Sequence, residues 1–352
     1  MDHAARIIDA NANRAREGPR VMEDTARFTL NDSTLTADCK DARHQLRAAL
    51  GTLPLRETDL VMARDTPGDV GTAITTELEH TREQGIASMV SAACKRTTEA
   101  LRTIEEASKL IGSDACAFET IRYRVYDLEK RLLLRLAPKC PQWKLCVLIT
   151  TELCTHHSPV EIIKRAAASG AECIQIREKT MPDAQLLDYC SSLVETCRSL
   201  GVHSIINDHV GIAKLTNADG VHLGKDDLPT NAARQILGIG RWIGRTCSSH
   251  ADAVEAIKAG ADSCGLGPVF PSPTKPKPAL SGPQLIADYT ADQRTAGTPY
   301  LAISGITPEN IESLAHAGCK GVAVSSAVCM SEDPGAVCRL LVEGIAPPTL
   351  RA

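Results

Sequence analysis

The chain has 352 residues, beyond the roughly 250–300 at which a single hydrophobic core stops growing, so two domains are expected. A formal net charge of −4 and a pI near 6.2 give no basic field for nucleic acid, and Lys and Arg are scattered rather than massed. The fourteen cysteines form no C-x-x-C pair, and several, such as Cys173 and Cys264, sit inside apolar strand-like runs. That speaks against a zinc or disulfide framework and for buried, reduced thiols in a cytoplasmic protein. With no run of about 18 apolar residues and no apolar segment after Met1-Asp2-His3, neither a membrane span nor a secretory signal is expected. The expected partners are small-molecule substrates, with no nucleic acid and no membrane, and the chain is expected to form a homo-oligomer.

From residue 4 to about 137 the pattern is helical, with charges at three- and four-residue spacing and few glycines outside one short segment. Residues 13–24 and 95–106 form a faint repeat, R-x-x-E-small-x-R-x-x-E-acid. On helices, Arg14, Glu17, Arg20 and Asp24 make one stripe, and Arg96, Glu99, Arg102 and Glu106 another, with Gly18 and Ala100 as the matching small residues. Such helices can face each other about a pseudo-twofold axis; equally, the stripes can be solvated salt-bridge ladders. Between them, 64–71 brings Arg64, Asp65 and Asp69 together with Gly68 and Gly71, which suits a phosphate or magnesium loop as well as a plain turn.

Residues 138–143 read as a proline-punctuated linker, so the division is 1–137, a helical domain, and 144–352. Eight β-branched runs follow, at 145–150, 173–177, 204–207, 220–223, 242–246, 264–269, 301–304 and 321–324. Helix-length stretches such as 159–169, 251–260 and 308–317 fill most of the gaps. Eight βα units in about 200 residues describe an α/β TIM (β/α)8 barrel preceded by a mainly α-helical domain; an open doubly wound sheet would also alternate, but rarely with eight strands so evenly spaced.

In such a barrel the chemistry sits where the strands end. The second strand runs into Gln175, Arg177 and Lys179, which alternation sends to one side, and two cations there suit an anion. The third ends in Asn207-Asp208 and the fourth in Gly224-Lys225-Asp226-Asp227. Neighbouring carboxylates suit magnesium, which takes one or two carboxylates plus substrate phosphates, although an Asp after a strand is more often a helix cap and Asp226 fits that role. The sixth strand leads to Ser272, Thr274 and Lys275, the seventh to Ser304-Gly305, and the eighth to Ser325-Ser326: hydroxyls, an ammonium and free N–H groups at helix starts, where phosphate binds.

These motifs resemble thiamine-phosphate synthase from residue 145 to about 341. The resemblance implies that Gln175, Arg177, Lys179, Asn207, Thr246 and Lys275 take a pyrimidine diphosphate, with Arg177, Lys179 and Lys275 as its catalytic cations. It implies that Asp208 and Asp227 hold one Mg2+, and that Ser272, Thr274, Gly305, Ser325 and Ser326 seat a thiazole phosphate. The implied reaction joins the two rings into thiamine phosphate and releases pyrophosphate. Two positions depart from the family pattern: Thr246-Cys247-Ser248 stands where Ser, a small residue and His are usual, and Ser304-Gly305 where a glycine pair is usual. The related thiazole tautomerases share the barrel but tend to lose the pyrimidine and magnesium residues that this chain keeps.

The helical region, from residue 6 to about 133, resembles the domain that many bacteria fuse ahead of this synthase, a family assigned as a hydroxymethylpyrimidine-phosphate kinase. Arg14, Glu17, Gly18, Arg20, Glu23, Asp24, Arg64, Asp65, Asp69, Gly71, Glu99, Arg102 and Glu105 carry that resemblance. It implies ATP as a substrate and a bifunctional enzyme whose first half makes the diphosphate that the barrel consumes. No Walker loop or kinase signature is present. The alternatives are a non-catalytic dimerisation or regulatory module ahead of the synthase, and a tautomerase barrel.

Overall fold

The computed structural model describes residues 2–65, 68, 85–272 and 279–346. The chain divides into two units, Met1–Ala137 and Pro138–Ala352.

The first unit is helical: α1 (Asp2–Asp24), α2 (Ser33–Gly51), α3 (Glu57–Met62), α4 (Gly85–Leu110) and α5 (Cys116–Leu136), with a π-helical turn at Thr25–Thr29 after α1. Its core takes Ile8, Ala12, Ala15 and Met22 from α1, Cys39 and Leu46 from α2, Leu101 and Ile104 from α4, and Phe118, Val125, Leu128 and Leu132 from α5. These recur at three- and four-residue spacing, the pattern of a helix face turned inward. The two helices of the sequence repeat, α1 and α4, pack against each other. Gly18 permits the approach: a methyl group there would lie 2.6 Å from the Ala93 carbonyl oxygen and closer still to Thr97 Oγ1.

The second unit is the expected barrel. Strands β1 (Leu145–Ile149), β2 (Cys173–Ile176), β3 (His203–Asn207), β4 (Gly220–Leu223), β5 (Trp242–Cys247), β6 (Ser263–Leu266), β7 (Tyr300–Ile303) and β8 (Val322–Val324) pair in parallel and in sequence order, and β8 closes on β1. Between and after them run α6 (Pro159–Ala168), α7 (Asp183–Leu200), α8 (Val210–Leu215), α9 (Thr230–Leu237), α10 (His250–Lys258), α11 (Gln284–Ala291), α12 (Ile311–His316), α13 (Ser326–Cys329) and α14 (Pro334–Ile345). Strand alternation sorts the core in two. Val147, Ile149, Ile174, Ile206, Val221, Ile243, Leu266 and Val322 pack with helix residues, whereas Cys146, Cys173, Ile205, Trp242 and Ala323 form a separate inner cluster.

Residues 138–143 are not a linker. Gln142 both donates to the Tyr300 carbonyl (2.8 Å) and accepts the Tyr300 N–H (3.1 Å), so its side chain acts as a strand neighbour at the start of β7. Cys140 and Trp143 are buried in the inner cluster, and Trp143 Nε1 donates to His203 Nδ1 (3.0 Å). Trp143 and Trp242 meet edge to face at 5.7 Å, and Trp242 Nε1 donates to the Pro138 carbonyl (2.9 Å). The apolar worth of two tryptophans recruits this segment to floor the barrel.

Two other boundaries move. β6 ends at Leu266 rather than 269, because Pro268 has no N–H to give a ladder; Val269 N–H instead reaches the Ile303 carbonyl (3.0 Å). The helix expected from 308 begins at Ile311, because Asn310 holds the chain in a turn, accepting the Thr307 N–H (2.9 Å) and donating to the Gly305 carbonyl (2.8 Å).

Candidate functional site

A cavity of about 1140 Å³ runs from the C-terminal ends of the strands into the barrel. Gln175, Arg177, Asn207, Thr246, Ser272, Gly305, Ser325 and Ser326 all line it. Thr274, Lys275 and, in the first unit, Asp69 and Gly71 lie outside the described residues.

Beside the cavity, at the tips of β2, β3 and β4, three more of the expected residues touch each other. Lys179 Nζ makes a short ion pair with Asp208 Oδ2, and the Asp208 and Asp227 carboxyls hydrogen-bond. Asp208 is held in place by an unusual backbone, φ +65°, whose N–H donates to the His222 carbonyl (2.8 Å). Asp227 Oδ2 accepts the Gly224 N–H (2.6 Å), which fixes the turn after β4. Burial opposes ionisation of Asp208, but the hydrogen bond from Asp227 and the Lys179 ammonium outweigh it and hold its carboxyl below the ordinary range. Burial and the contact with Asp208 push Asp227 up. The charge of Asp208 thus opposes ionisation of Asp227, a repulsion that a cation placed between the two carboxyls would remove directly. Asp226 is exposed at the cavity wall and caps nothing, since α9 starts from Pro229.

Asn207 adds a second unmet demand. Its side chain is buried, and its Nδ2 has no hydrogen-bond partner, nor has the buried Thr150 hydroxyl at the end of β1. A buried, unsatisfied donor costs about 1–3 kcal/mol, so each argues for an acceptor supplied by a ligand. Glu178, next to Arg177 but on the opposite side of the chain, accepts the Thr151 N–H (2.8 Å) and Oγ1–H (2.7 Å) and so pins the loop after β1.

Across the barrel, β7 and β8 lie opposite β3 and β4 in the eight-strand order. Here Ser304 and Gly305 both have positive φ, +81° and +66°. The departure from a glycine pair is thus a serine in glycine's conformation, held by its hydroxyl donating to the Phe270 carbonyl (3.0 Å). A methyl group at Gly305 would sit 2.9 Å from the Phe270 carbonyl carbon, and closer to the Pro271 oxygen, so only glycine lets the 270–272 segment lie over the end of β7. Ser325 Oγ is engaged with the Leu148 carbonyl (3.0 Å), which leaves Ser326 and the backbone of this turn facing the cavity.

The other departure is also accounted for. Ser248, where the family pattern has His, uses its N–H and hydroxyl to hold Asp252 (3.1 and 2.8 Å), and Ser249 caps α10. An imidazole nevertheless reaches the cavity from β4: His222 Nε2 pairs with Thr246 Oγ1 (2.9 Å), and its ring occupies space left by Gly244 and Gly265. Sequence reading passed over His222. Alternation alone could have found it, since Val221 and Leu223 face the helices and His222 must face in.

In the first unit, the expected stripes are largely solvent-facing. Glu17, exposed, pairs with the partly exposed Arg96 across α1 and α4 at 3.5 Å, and Arg102 pairs within its own helix with the buried Glu105 (2.5 Å) and the exposed Glu106 (2.8 Å). Arg14, Arg20 and Glu99 are exposed. The exposed pair Arg102–Glu106 and the largely exposed pair Glu17–Arg96 each contribute about 0–1 kcal/mol. The stronger feature was not anticipated: Asp9, buried on α1, receives both Arg64 Nε (2.6 Å) and Nη2 (2.9 Å), while Arg6 reaches the Asp65 carbonyl (2.9 Å). An acid on the apolar face Ala5, Ile8, Asp9, Ala12 was the signal available.

Among the described residues, no helix is long and apolar enough to cross a membrane, and no cluster of three or more His, Cys, Asp or Glu side chains is placed to hold a metal.

Comparison with known proteins gives two family matches: thiamine monophosphate synthase over residues 145–328, and the ThiD2 family over residues 6–131. A thiamine-phosphate synthase of Thermosynechococcus vestitus is 40% identical over 343 residues, covering 96% of this chain and 93% of its own. One from Nostoc punctiforme is 37% identical over 338 residues, covering 96% and 93%. Among solved structures, a thiamine phosphate pyrophosphorylase from Pyrococcus furiosus superimposes with a TM-score of 0.51 at 30% identity, over 57% of this chain and 95% of that one. With the strand-end residues gathered as described and relatives matching along nearly the whole length, the chain belongs to the thiamine-phosphate synthase family, with a ThiD2 domain ahead of the barrel.

Proposed function

We propose that the barrel joins 4-amino-2-methyl-5-(diphosphooxymethyl)pyrimidine to hydroxyethylthiazole phosphate, giving thiamine phosphate and pyrophosphate. The observation that carries this reading is the Lys179–Asp208–Asp227 cluster at the tips of β2, β3 and β4, beside a cavity lined on that side by Arg177 and Asn207 and on the other by Gly305, Ser325 and Ser326. One side suits a cation with a diphosphate, and the other a monophosphate.

Mg2+ fits the Asp208–Asp227 pair, because two carboxyls in contact offer it hard oxygen ligands and the charge of one opposes ionisation of the other. Bound there, it would neutralise charge on the diphosphate. Arg177, Lys179 and Lys275 supply the remaining positive charge, and Gln175 and Asn207 orient the pyrimidine diphosphate, Asn207 through the Nδ2 donor that lacks a protein partner. Thr246, fixed by His222, borders the pyrimidine. Ser272, Thr274, Gly305, Ser325 and Ser326 seat the thiazole phosphate. Departure of pyrophosphate leaves positive charge on the pyrimidine methylene, stabilised by the electron-rich ring, and the thiazole nitrogen takes it up. The protein holds two reactants in line and balances charge; it supplies no nucleophile.

For the ThiD2 domain we infer ATP-dependent phosphorylation of hydroxymethylpyrimidine phosphate, with Asp9, Arg64 and Asp65 near its chemistry and Arg14, Glu17, Arg20, Asp69, Glu99 and Arg102 as further candidates. The domain pairing supports it: the product of such a kinase is the substrate of the barrel. The full chain supplied with MgATP and hydroxymethylpyrimidine phosphate should form the diphosphate and ADP. A chain inert in that assay, yet active on supplied diphosphate, would make the first unit a dimerisation or regulatory module.

A further inference from the structure

Of the fourteen cysteines, all free, twelve are buried, Cys116 is exposed and Cys154 is half-buried. Three thiol pairs interact directly: Cys146 with Cys173, Cys247 with Cys264, and Cys154 with Cys329. The first two are enclosed in the barrel wall. Only Cys154 combines a thiol partner with access to solvent.

The place of this pair in the fold gives it consequences. Cys154 closes the short turn Thr151–Leu153 after β1, and its Sγ approaches the Thr150 carbonyl (3.3 Å). Cys329 ends α13, the turn that begins with Ser326, and its Sγ approaches the Leu148 carbonyl (3.3 Å). That same carbonyl accepts the Ser325 hydroxyl (3.0 Å). Leu153, Ala327 and Met330, beside the two cysteines, line the cavity. We propose that Cys154 and Cys329 form a reversible disulfide that reshapes the Ser325–Ser326 rim and so lowers affinity for the phosphorylated co-substrate. This inference rests on the reading of that rim as the phosphate seat.

The chemistry is thiol–disulfide exchange with a small disulfide of the glutathione class. The Cys154 thiolate attacks one sulfur of the oxidant, giving a mixed disulfide and one released thiol. The Cys329 thiol then loses its proton and attacks Cys154 Sγ, releasing the second thiol. Two cysteines are oxidised and one external disulfide is reduced to two thiols. The roles follow from surroundings: the hydrogen bond from Cys329 holds the Cys154 thiol below the ordinary range, whereas that contact and burial push Cys329 up. Forming the S–S bond draws the sulfurs from contact to about 2.05 Å, which takes Cys329 off the Leu148 carbonyl and pulls α13 toward the β1 turn.

The full chain treated with oxidised glutathione, then digested without reduction, tests this. A peptide linking Cys154 to Cys329, lighter by two hydrogens than the sum of its parts, is expected, together with a several-fold rise in KM for thiazole phosphate that dithiothreitol reverses. Cys154→Ser should keep the reduced enzyme's KM and show no rise on oxidation. Absence of the linked peptide, or a linked chain with unchanged KM, overturns the proposal. The crosslink is read by mass whether or not the rim binds phosphate. Failure of the phosphate reading would show separately, as an unchanged KM in Ser326→Ala.

Discussion

Gly305→Ala is a severe test of how the phosphate side of the cavity is built. The new methyl group would sit 2.9 Å from both the carbonyl carbon and Cβ of Phe270, and the backbone at φ +66° is one that alanine rarely adopts. The left-handed conformation costs roughly 1–2 kcal/mol, and relieving an overpacked contact about 1–3 kcal/mol more. For a unit the size of Pro138–Ala352, that total lowers Tm by about 10 °C. Because the obstructing atoms belong to the segment that carries Ser272, KM for thiazole phosphate should rise more than KM for the pyrimidine diphosphate. Calorimetry and steady-state kinetics on the same preparation read both effects. Ser304→Gly is the matched control: relief of strain at φ +81°, roughly 1 kcal/mol, opposes loss of the hydroxyl bond to the Phe270 carbonyl, about 1 kcal/mol, so stability should barely move. A Gly305→Ala variant with wild-type Tm and both KM values unchanged would refute the reasoning.

Three further outcomes follow. Asn207→Ala removes a buried donor that lacks a partner, so Tm should hold or rise while condensation falls; a less stable variant with intact activity would contradict the assignment. Gly18→Ala, which in an open helix would stabilise by about 0.5–1 kcal/mol, should instead destabilise the first unit by roughly 1–3 kcal/mol, measurable by urea unfolding. Thr97→Ala should rescue it only in part, because the Ala93 carbonyl oxygen still obstructs the methyl group. Asp292, held at about 2 by its hydrogen bonds from Arg294, with His250 adding to the effect, contributes stability that is present above the ordinary carboxylate pKa and lost as pH falls through 2. Asp292→Asn should therefore lower stability at neutral pH and flatten the acid side of the profile between about pH 4 and 2, where the two proteins converge.

Much of the barrel was legible because its signal is local. Apolar runs at βα spacing and polar residues at each run's end belong to single segments, and alternation placed Gln175 and Arg177 correctly. What stayed hidden depends on partners distant in sequence. Residues 138–143 look like a linker until Gln142 meets Tyr300 and Trp143 meets Trp242. His222 gains meaning only beside Thr246 and the space at Gly244 and Gly265. In the helical unit, Arg14, Arg20 and Glu99 stood out as a repeat yet face solvent, while the pairing of buried Asp9 with Arg64, 55 residues apart, had no repeat to announce it.

The central claim is tested most directly by thiamine phosphate formation in the purified chain given pyrimidine diphosphate and thiazole phosphate, with and without Mg2+, beside Asp227→Asn. The account predicts product that requires Mg2+ and a loss of about a hundredfold or more in the variant, the scale of removing one charge-stabilising group at a reacting centre. Product formed equally well without Mg2+, or at the wild-type rate by Asp227→Asn, would contradict it.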